Sequence, residues 1–147
     1  MRRRRLLRTG LATALAAIFL GLSAIHVYWG LGGRSGHAAG VPSVDGQRLF
    51  APSRLETFMV ATALFVAVLV VAGTVGWVGD MVPASVFRVL TLILSLVFLV
   101  RAIGDFKCIG FFRRPSESAF AYWDMRLYSP LCLFIAAAAL IVSWRNV

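Results

Sequence analysis

Acidic residues and cysteines are scarce in this chain. Only 6 of its 147 residues are Asp or Glu, and only 2 are cysteine. Two cysteines are too few for a disulfide-rich scaffold or for a zinc site built from thiolates. The carboxylates lack the spacing of a metal site, and the sequence contains no nucleophile motif and no cofactor-binding fingerprint. We therefore expect neither a metal nor a cofactor.

Extended polar segments that could cover a soluble domain are also missing. Hydrophobic residues make up 60% of the sequence and charged residues 14%, whereas soluble domains contain roughly 45–50% and about 25% of these classes. A water-soluble domain of this length would need many more polar residues to cover its surface. The composition therefore predicts an integral membrane protein, located in the inner (plasma) membrane.

Positive charge is abundant and is concentrated at the beginning of the chain. Lys and Arg number 15, which gives a formal net charge of +9. Arginines directly before an apolar run are typical of a cytoplasmic flank that contacts anionic lipid headgroups. Outside the membrane flanks no basic stripe alternates with aromatic residues, so we do not expect nucleic-acid binding. The early arginines are Arg2, Arg3, Arg4, Arg5 and Arg8.

Four apolar runs predict four membrane-spanning helices. A hydrocarbon core about 30 Å thick requires about 20 helical residues to cross it. Because backbone polar groups must be satisfied internally in lipid, the runs predict an all-α, up-down-up-down bundle of four transmembrane helices. Residues 1–147 then form a single membrane domain, with a basic cytoplasmic N-terminus at 1–8 and both termini cytoplasmic. The predicted helices cover 11–31, 57–79, 86–104 and 129–144.

The first apolar run has two interpretations. A basic start, an apolar centre and the small residues Ser23 and Ala24 also fit a cleavable signal peptide. The run continues without a polar break to Trp29, which is long for a signal peptide and favours a retained helix. Arginines in both loops that this topology places outside weigh against the cytoplasmic assignment of the termini.

The fourth helix has a clear predicted start. Ser129 and Pro130 fit the N-cap and first helical position, because a proline there gives up no needed donor. The preceding loop is long and rich in aromatic residues, so we expect a short interfacial helix between helices three and four, near residues 118–126.

Polar residues near the helix ends predict a ligand pocket. Ionisable groups in lipid are costly unless they are paired or wet. The topology places six ionisable or aromatic residues on one side of the membrane, where they could line one pocket at the non-cytoplasmic mouth of the bundle. The alternative is an interfacial ion pair, an aromatic belt and a histidine bonded to a backbone carbonyl. The candidates are His26, Trp29, Arg101, Asp105, Asp124 and Tyr128.

Two local pairings are predicted at this mouth. Asp105 follows Arg101 by one helical turn, which permits an ion pair. Cys108 and Cys132 fall on the same side of the membrane, so a disulfide between them is geometrically plausible.

Four separate blocks of the sequence form a recognisable pattern: His26–Gly33, Arg101–Phe106, Phe120–Asp124 and Tyr128–Cys132. In this order they resemble the bacterial DUF3995 family of small membrane proteins. The resemblance spans nearly the whole chain, from helix one to helix four. It implies four helices and a set of motif residues, but no reaction. The motif residues coincide with the predicted pocket.

Three functional interpretations follow. The first is a bundle that binds a small apolar or amphipathic ligand, with His26 or Asp124 as general acid or base if the protein is an enzyme. The second is a structural or accessory subunit of a larger membrane complex, with a membrane protein as partner. The third is a dimeric small-molecule exporter, which would need a carboxylate near the bilayer midplane that the sequence does not supply.

Overall fold

The computed structural model describes residues 2–41, 43–44, 47–48, 51–79, 81–104, 109–112 and 118–144. The regular secondary structure in these ranges is helical, apart from the short antiparallel strands β1 (Ser43–Val44) and β2 (Gln47–Arg48). A π-helical turn, Asp124–Tyr128, joins the last two helices. The predicted all-helical class is confirmed. The helices are α1 (Arg2–Gly30), α2 (His37–Gly40), α3 (Arg54–Thr74), α4 (Ala84–Ile103), α5 (Ala119–Trp123) and α6 (Ser129–Ser143).

The described part of the chain contains four helical segments that are long enough to span a membrane. The helices concerned are α1, α3, α4 and the continuous segment Ala119–Ser143, all of them long and apolar enough to cross a membrane. Large apolar side chains such as Leu96 and Val97 are exposed along their outer faces. Water would penalise that exposure whereas lipid would not, so the prediction of a membrane protein is confirmed.

The bundle consists of two closely packed helix pairs. Helix α1 packs along α3, and α4 packs along α6, while contacts between α1 and α6 and between α3 and α4 join the pairs. The Phe19 ring meets the Phe98 ring with centroids 5.4 Å apart, which attaches α4 to the core. The core cluster is formed by Ala12, Leu15, Phe19, Ala67, Val71, Ile135, Ala138, Ala139 and Val142.

Buried hydroxyl groups connect the helices at three places. Ser23 Oγ donates to the carbonyl of Ala61 at 2.8 Å, which ties α1 to α3. The Thr74 and Thr91 hydroxyls lie 2.7 Å apart, between α3 and α4. Helix α4 is bonded to α6 in the same way. In apolar surroundings a hydroxyl without a partner is costly, so these bonds also fix how the helices face each other.

Two helix boundaries differ from the sequence-based prediction. Helix α1 begins at Arg2 instead of residue 11, because arginine is a good helix former whose long side chain reaches polar surroundings from the helix. Helix α3 ends at Thr74 instead of residue 79. Gly76 has a φ of 79°, and the Trp77 amide donates to the Ala72 carbonyl at 2.9 Å. This left-handed C-cap closes the helix.

The fourth helix, α6, begins at Ser129 as predicted, but Ser129 is not its N-cap, because helical structure precedes it. Ser118 is the N-cap of α5, with its side chain accepting from the Ala121 amide, and the chain remains helical to Ser143. Ser129 therefore lies inside this helical segment, and its amide donates to the Asp124 carbonyl in a π-type bond. The wider turn accommodates Pro130, whose ring would clash with the carbonyl of a regular α-helix. The short helix expected before the fourth span is the first part of this same segment.

We predict that Ser95→Ala destabilises the bundle. Ser95 Oγ donates to the Ala136 carbonyl at 2.7 Å in the buried seam between α4 and α6. Its loss should lower the free energy of unfolding by about 0.6–1 kcal/mol, the range for hydrogen bonds between membrane helices. Denaturation by SDS in mixed micelles measures this. Ser143→Ala is the control, since its hydroxyl bonds only within its own helix; an equal loss in both variants would contradict the prediction.

Candidate functional site

His26 lies near the end of α1, with its ring bonded to the backbone of its own helix. Its Nδ1 is 2.8 Å from the Leu22 carbonyl oxygen. Because a carbonyl can only accept, Nδ1 must carry the hydrogen. Nε2 of the neutral ring is then a hydrogen-bond acceptor.

Trp29, one turn later, holds the first loop against α1. Its indole N–H donates to the Ser35 carbonyl at 2.8 Å. The His26 and His37 rings both meet the indole edge-on, with centroids 5.2 Å and 5.7 Å away. The loop therefore folds back over the end of α1 and places the His37 imidazole on the same indole that the His26 imidazole contacts.

A capping box positions the first turn of α3 beside these rings. The Glu56 amide donates to Ser53 Oγ at 3.2 Å, and the Ser53 amide donates to Glu56 Oε2 at 2.6 Å. This reciprocal pair satisfies two backbone donors of the helix end. It also fixes the Glu56 carboxylate, with Thr57 next to it.

These elements enclose a cavity of ≈ 330 Å³. Its walls come from the end of α1, the first loop and the beginning of α3. They combine apolar side chains with two imidazoles, one carboxylate and one hydroxyl. The lining residues are His26, Trp29, His37, Gly40, Val41, Pro52, Glu56, Thr57 and Val60.

A second polar group surrounds the buried carboxylate of Asp124. This side chain is 0% exposed and pairs with Arg101 Nη2 at 2.8 Å. Its other oxygen accepts the amide of Gly110 at 2.7 Å. A buried carboxylate is tolerated only when it is paired and hydrogen-bonded. Asp124 therefore joins the π-helical turn, the end of α4 and the following loop at one point.

Gly110 lies beside Asp124 at a point where its backbone crosses that of Gly104. Gly104 has a φ of 91° and Gly110 a φ of 87°, and their backbones are in direct contact. The Phe111 amide donates to the Ala102 carbonyl at 2.9 Å, next to the crossing. A side chain at residue 104 would collide with the Ile109 carbonyl oxygen. Only glycine fits both the conformation and the space.

Other polar atoms lie buried near this pair. Within the described ranges, Arg101 Nη1 and Ser129 Oγ have no hydrogen-bond partner. The ring of Tyr128 packs against that of Phe120, with centroids 6.0 Å apart. The Cys132 thiol is buried and free.

Two of the predicted residues cannot be placed. Asp105, the expected partner of Arg101, and Cys108, the expected disulfide partner of Cys132, lie outside the described residues. The described residues contain no group of three His, Cys, Asp or Glu side chains that could hold a metal ion.

The structure brings the described candidates to one end of the bundle, in two groups. Contacts between α2 and α5 connect the groups. His26 and Trp29 line the cavity, whereas Arg101 and Asp124 form the ion pair beside it. Sequence reasoning missed the three other polar lining residues, His37, Glu56 and Thr57. The spacing of Ser53 and Glu56 is the signal that could have placed the last two at a helix start.

Comparison with known proteins identifies the family. The model of a family described as "Protein of unknown function (DUF3995)" matches residues 19–139. The chain belongs to the DUF3995 family. This confirms the resemblance found in the sequence, and the matched residues include both polar groups. No curated protein and no solved structure matches the chain.

We predict that Asp124→Asn destabilises the protein strongly. The variant leaves the Arg101 guanidinium without its charged partner, and breaking a buried pair in this way costs about 3 kcal/mol. SDS denaturation gives the change in unfolding free energy. The double variant Arg101→Gln/Asp124→Asn should recover part of the loss, because no isolated charge remains. Strictly additive effects would contradict a direct pair.

We also predict that Gly104→Ala lowers the unfolding free energy by about 1–3 kcal/mol, the cost of a residue held in a disfavoured backbone region. Gly21→Ala is the matched control. Gly21 is helical and nothing lies within 4 Å of an added Cβ there, so alanine should be neutral or slightly stabilising. Thermal unfolding of both variants in detergent checks this. Equal melting temperatures of the two variants would contradict the prediction, because the loop could then move away from residue 104 without loss of stability.

Proposed function

We propose that this protein is a multi-pass protein of the inner (plasma) membrane that binds a small amphipathic molecule in the cavity beside His26 and Trp29. The observation that carries the proposal is the cavity itself, which combines apolar walls with Glu56 and two imidazoles. Ligand pockets in proteins have this character, apolar with few polar groups. Its volume of ≈ 330 Å³ is at the lower end of the usual range, which favours a small ligand.

The polar groups of the cavity favour a ligand head that donates hydrogen bonds. His26 Nε2 is an acceptor when the ring is neutral, since Nδ1 is committed to Leu22. The Glu56 carboxylate has about four lone-pair sites, of which the Ser53 amide occupies one. A hydroxyl or an ammonium group matches these acceptors, whereas a carboxylate would be repelled by Glu56.

The proposed orientation places the cavity on the non-cytoplasmic side. It assumes that the four spans alternate in direction, with both termini in the cytoplasm. The arginine cluster at the beginning of α1 supports this assignment. Glu56 and Asp124, the acidic residues in the described ranges, belong to the opposite end of the bundle. Residues 119–123 then lie at the outer interface and cover the ligand site.

An accessory role in a larger membrane complex is the second candidate. The exposed apolar surface of α4 favours it, because this helix is the least covered of the four candidate spans. A partner helix would pack along the face that includes Leu96 and Val100. In that case the polar residues hold the helix ends in register, and substitutions in the cavity should not alter binding of any small molecule.

Ligand-dependent thermal stability distinguishes the two candidates. The probes are octylamine, octanol and octanoate at equal concentration below their micellar range, together with a lipid and isoprenoid extract of bacterial membranes. We expect the amine or the alcohol to raise the melting temperature and octanoate to have little effect. In His26→Leu or Glu56→Gln the shift should disappear while the melting temperature without probe stays within a few degrees.

The control separates the carboxylate from the helix cap. Gln can replace Glu in a capping box, so Glu56→Gln removes the charge and retains the cap. Ser53→Ala breaks the cap and retains the carboxylate, and it should lower the basal melting temperature but preserve the probe-induced shift. If no probe stabilises the wild type and the cavity variants lower only the basal stability, the ligand proposal is wrong and the accessory role gains.

A further inference from the structure

The first two turns of α1 concentrate positive charge and contain no acidic residue. Helix α1 is regular from Arg2 and has no acidic residue in its first turn. Helical spacing puts Arg4 and Arg5 next to Arg8, at four and three residues, and like charges at these spacings repel. The positive end of the helix dipole adds to the repulsion. An anion close to the arginines would relieve this repulsion and stabilise the first turns of the helix.

Arg8 shows where such an anion would be held. Its Nη2 donates to the carbonyl of Val142 at 3.0 Å, so the guanidinium lies between α1 and the end of α6. Its Nε is buried and has no hydrogen-bond partner among the described residues. An Arg donor that is buried and unused is costly unless a ligand accepts from it.

Exposed apolar side chains also occur on the same ends of α1 and α6. Leu7 on α1 and Leu140, Ile141 and Trp144 at the end of α6 are exposed, Trp144 to 67%. The position therefore offers guanidinium groups beside an apolar surface. That combination matches a molecule with an anionic head and hydrocarbon chains, and exposed tryptophan is common at the headgroup level of membranes.

We propose that Arg4, Arg5 and Arg8, together with the end of α6, bind the phosphodiester headgroup of an anionic phospholipid. The planar guanidinium fork matches phosphate oxygens in geometry and charge. The acyl chains would lie along the exposed residues of α1 and α6. This site is at the end of the bundle opposite the cavity of His26 and Glu56, so it goes beyond the proposed ligand-binding function and does not depend on it.

Native mass spectrometry of the detergent-solubilised full chain tests the proposal. The probes are phosphatidylglycerol and phosphatidylcholine with identical acyl chains. We expect preferential retention of phosphatidylglycerol by the wild type. With about a fivefold effect for each arginine near a membrane surface, the triple variant Arg4→Gln/Arg5→Gln/Arg8→Gln should bind it about a hundredfold more weakly.

A charge-matched control tests whether the location matters. The triple variant Arg34→Gln/Arg54→Gln/Arg126→Gln removes the same charge at the other end of the bundle and should retain wild-type binding. If both triple variants lose affinity equally, the protein attracts anionic lipid only through its net charge, and the proposed site is wrong. If the triple variant Arg4→Gln/Arg5→Gln/Arg8→Gln binds phosphatidylglycerol as tightly as the wild type does, the proposal also fails.

Two further measurements keep the result interpretable. Arg4 and Arg5 are exposed, so the double variant Arg4→Gln/Arg5→Gln should fold normally and still lose affinity about 25-fold by the same estimate. Inorganic phosphate, offered at the lipid concentration, distinguishes a lipid site from a free-phosphate site. Competition by phosphate at that concentration would overturn the assignment to a phospholipid, and its absence supports it.

Discussion

The end of the bundle that contains both polar groups depends on the buried carboxylate of Asp124. Its two oxygens accept from Arg101 on α4 and from the backbone of Gly110 in the next loop, while Asp124 itself begins the π-helical turn that leads into α6. Three chain segments therefore meet at one charge. Since a carboxylate in such surroundings cannot remain unpaired, the relative positions of Arg101, Gly110 and the π-helical turn are determined together.

The general architecture was accessible from the sequence because lipid imposes a simple requirement. Apolar runs of sufficient length had to be helices, and the described structure contains four such segments. The helix ends were less predictable. Ser129 and Pro130 fit an N-cap and first helical position only if the residues before them are not helical. In the structure a π-helical turn precedes them, so the chain stays helical and the wider turn accommodates the proline.

The candidate site was predicted in part for a similar reason. His26 and Trp29 were identified because a polar or aromatic residue near the end of an apolar helix stands out. The predicted partner of Arg101, Asp105, lies outside the described residues, and the structure shows that Arg101 pairs with Asp124, 23 residues further along the chain. Local spacing contains no information about a loop that returns through two glycines with positive φ. His37 was missed because its contribution depends on the same kind of loop folding around Trp29.

The division of the bundle into two helix pairs has a consequence for biosynthesis. Every residue that lines the cavity belongs to the segment between His26 and Val60, and the Asp124 network lies entirely between Arg101 and Ser129. Each half of the chain is thus a helical hairpin that contains its own polar cluster. The first hairpin can enter the membrane and form its cavity while the second is still being synthesised, because contacts close in sequence form early. The later hairpin then only has to dock, through the seams of α1 with α6 and α3 with α4.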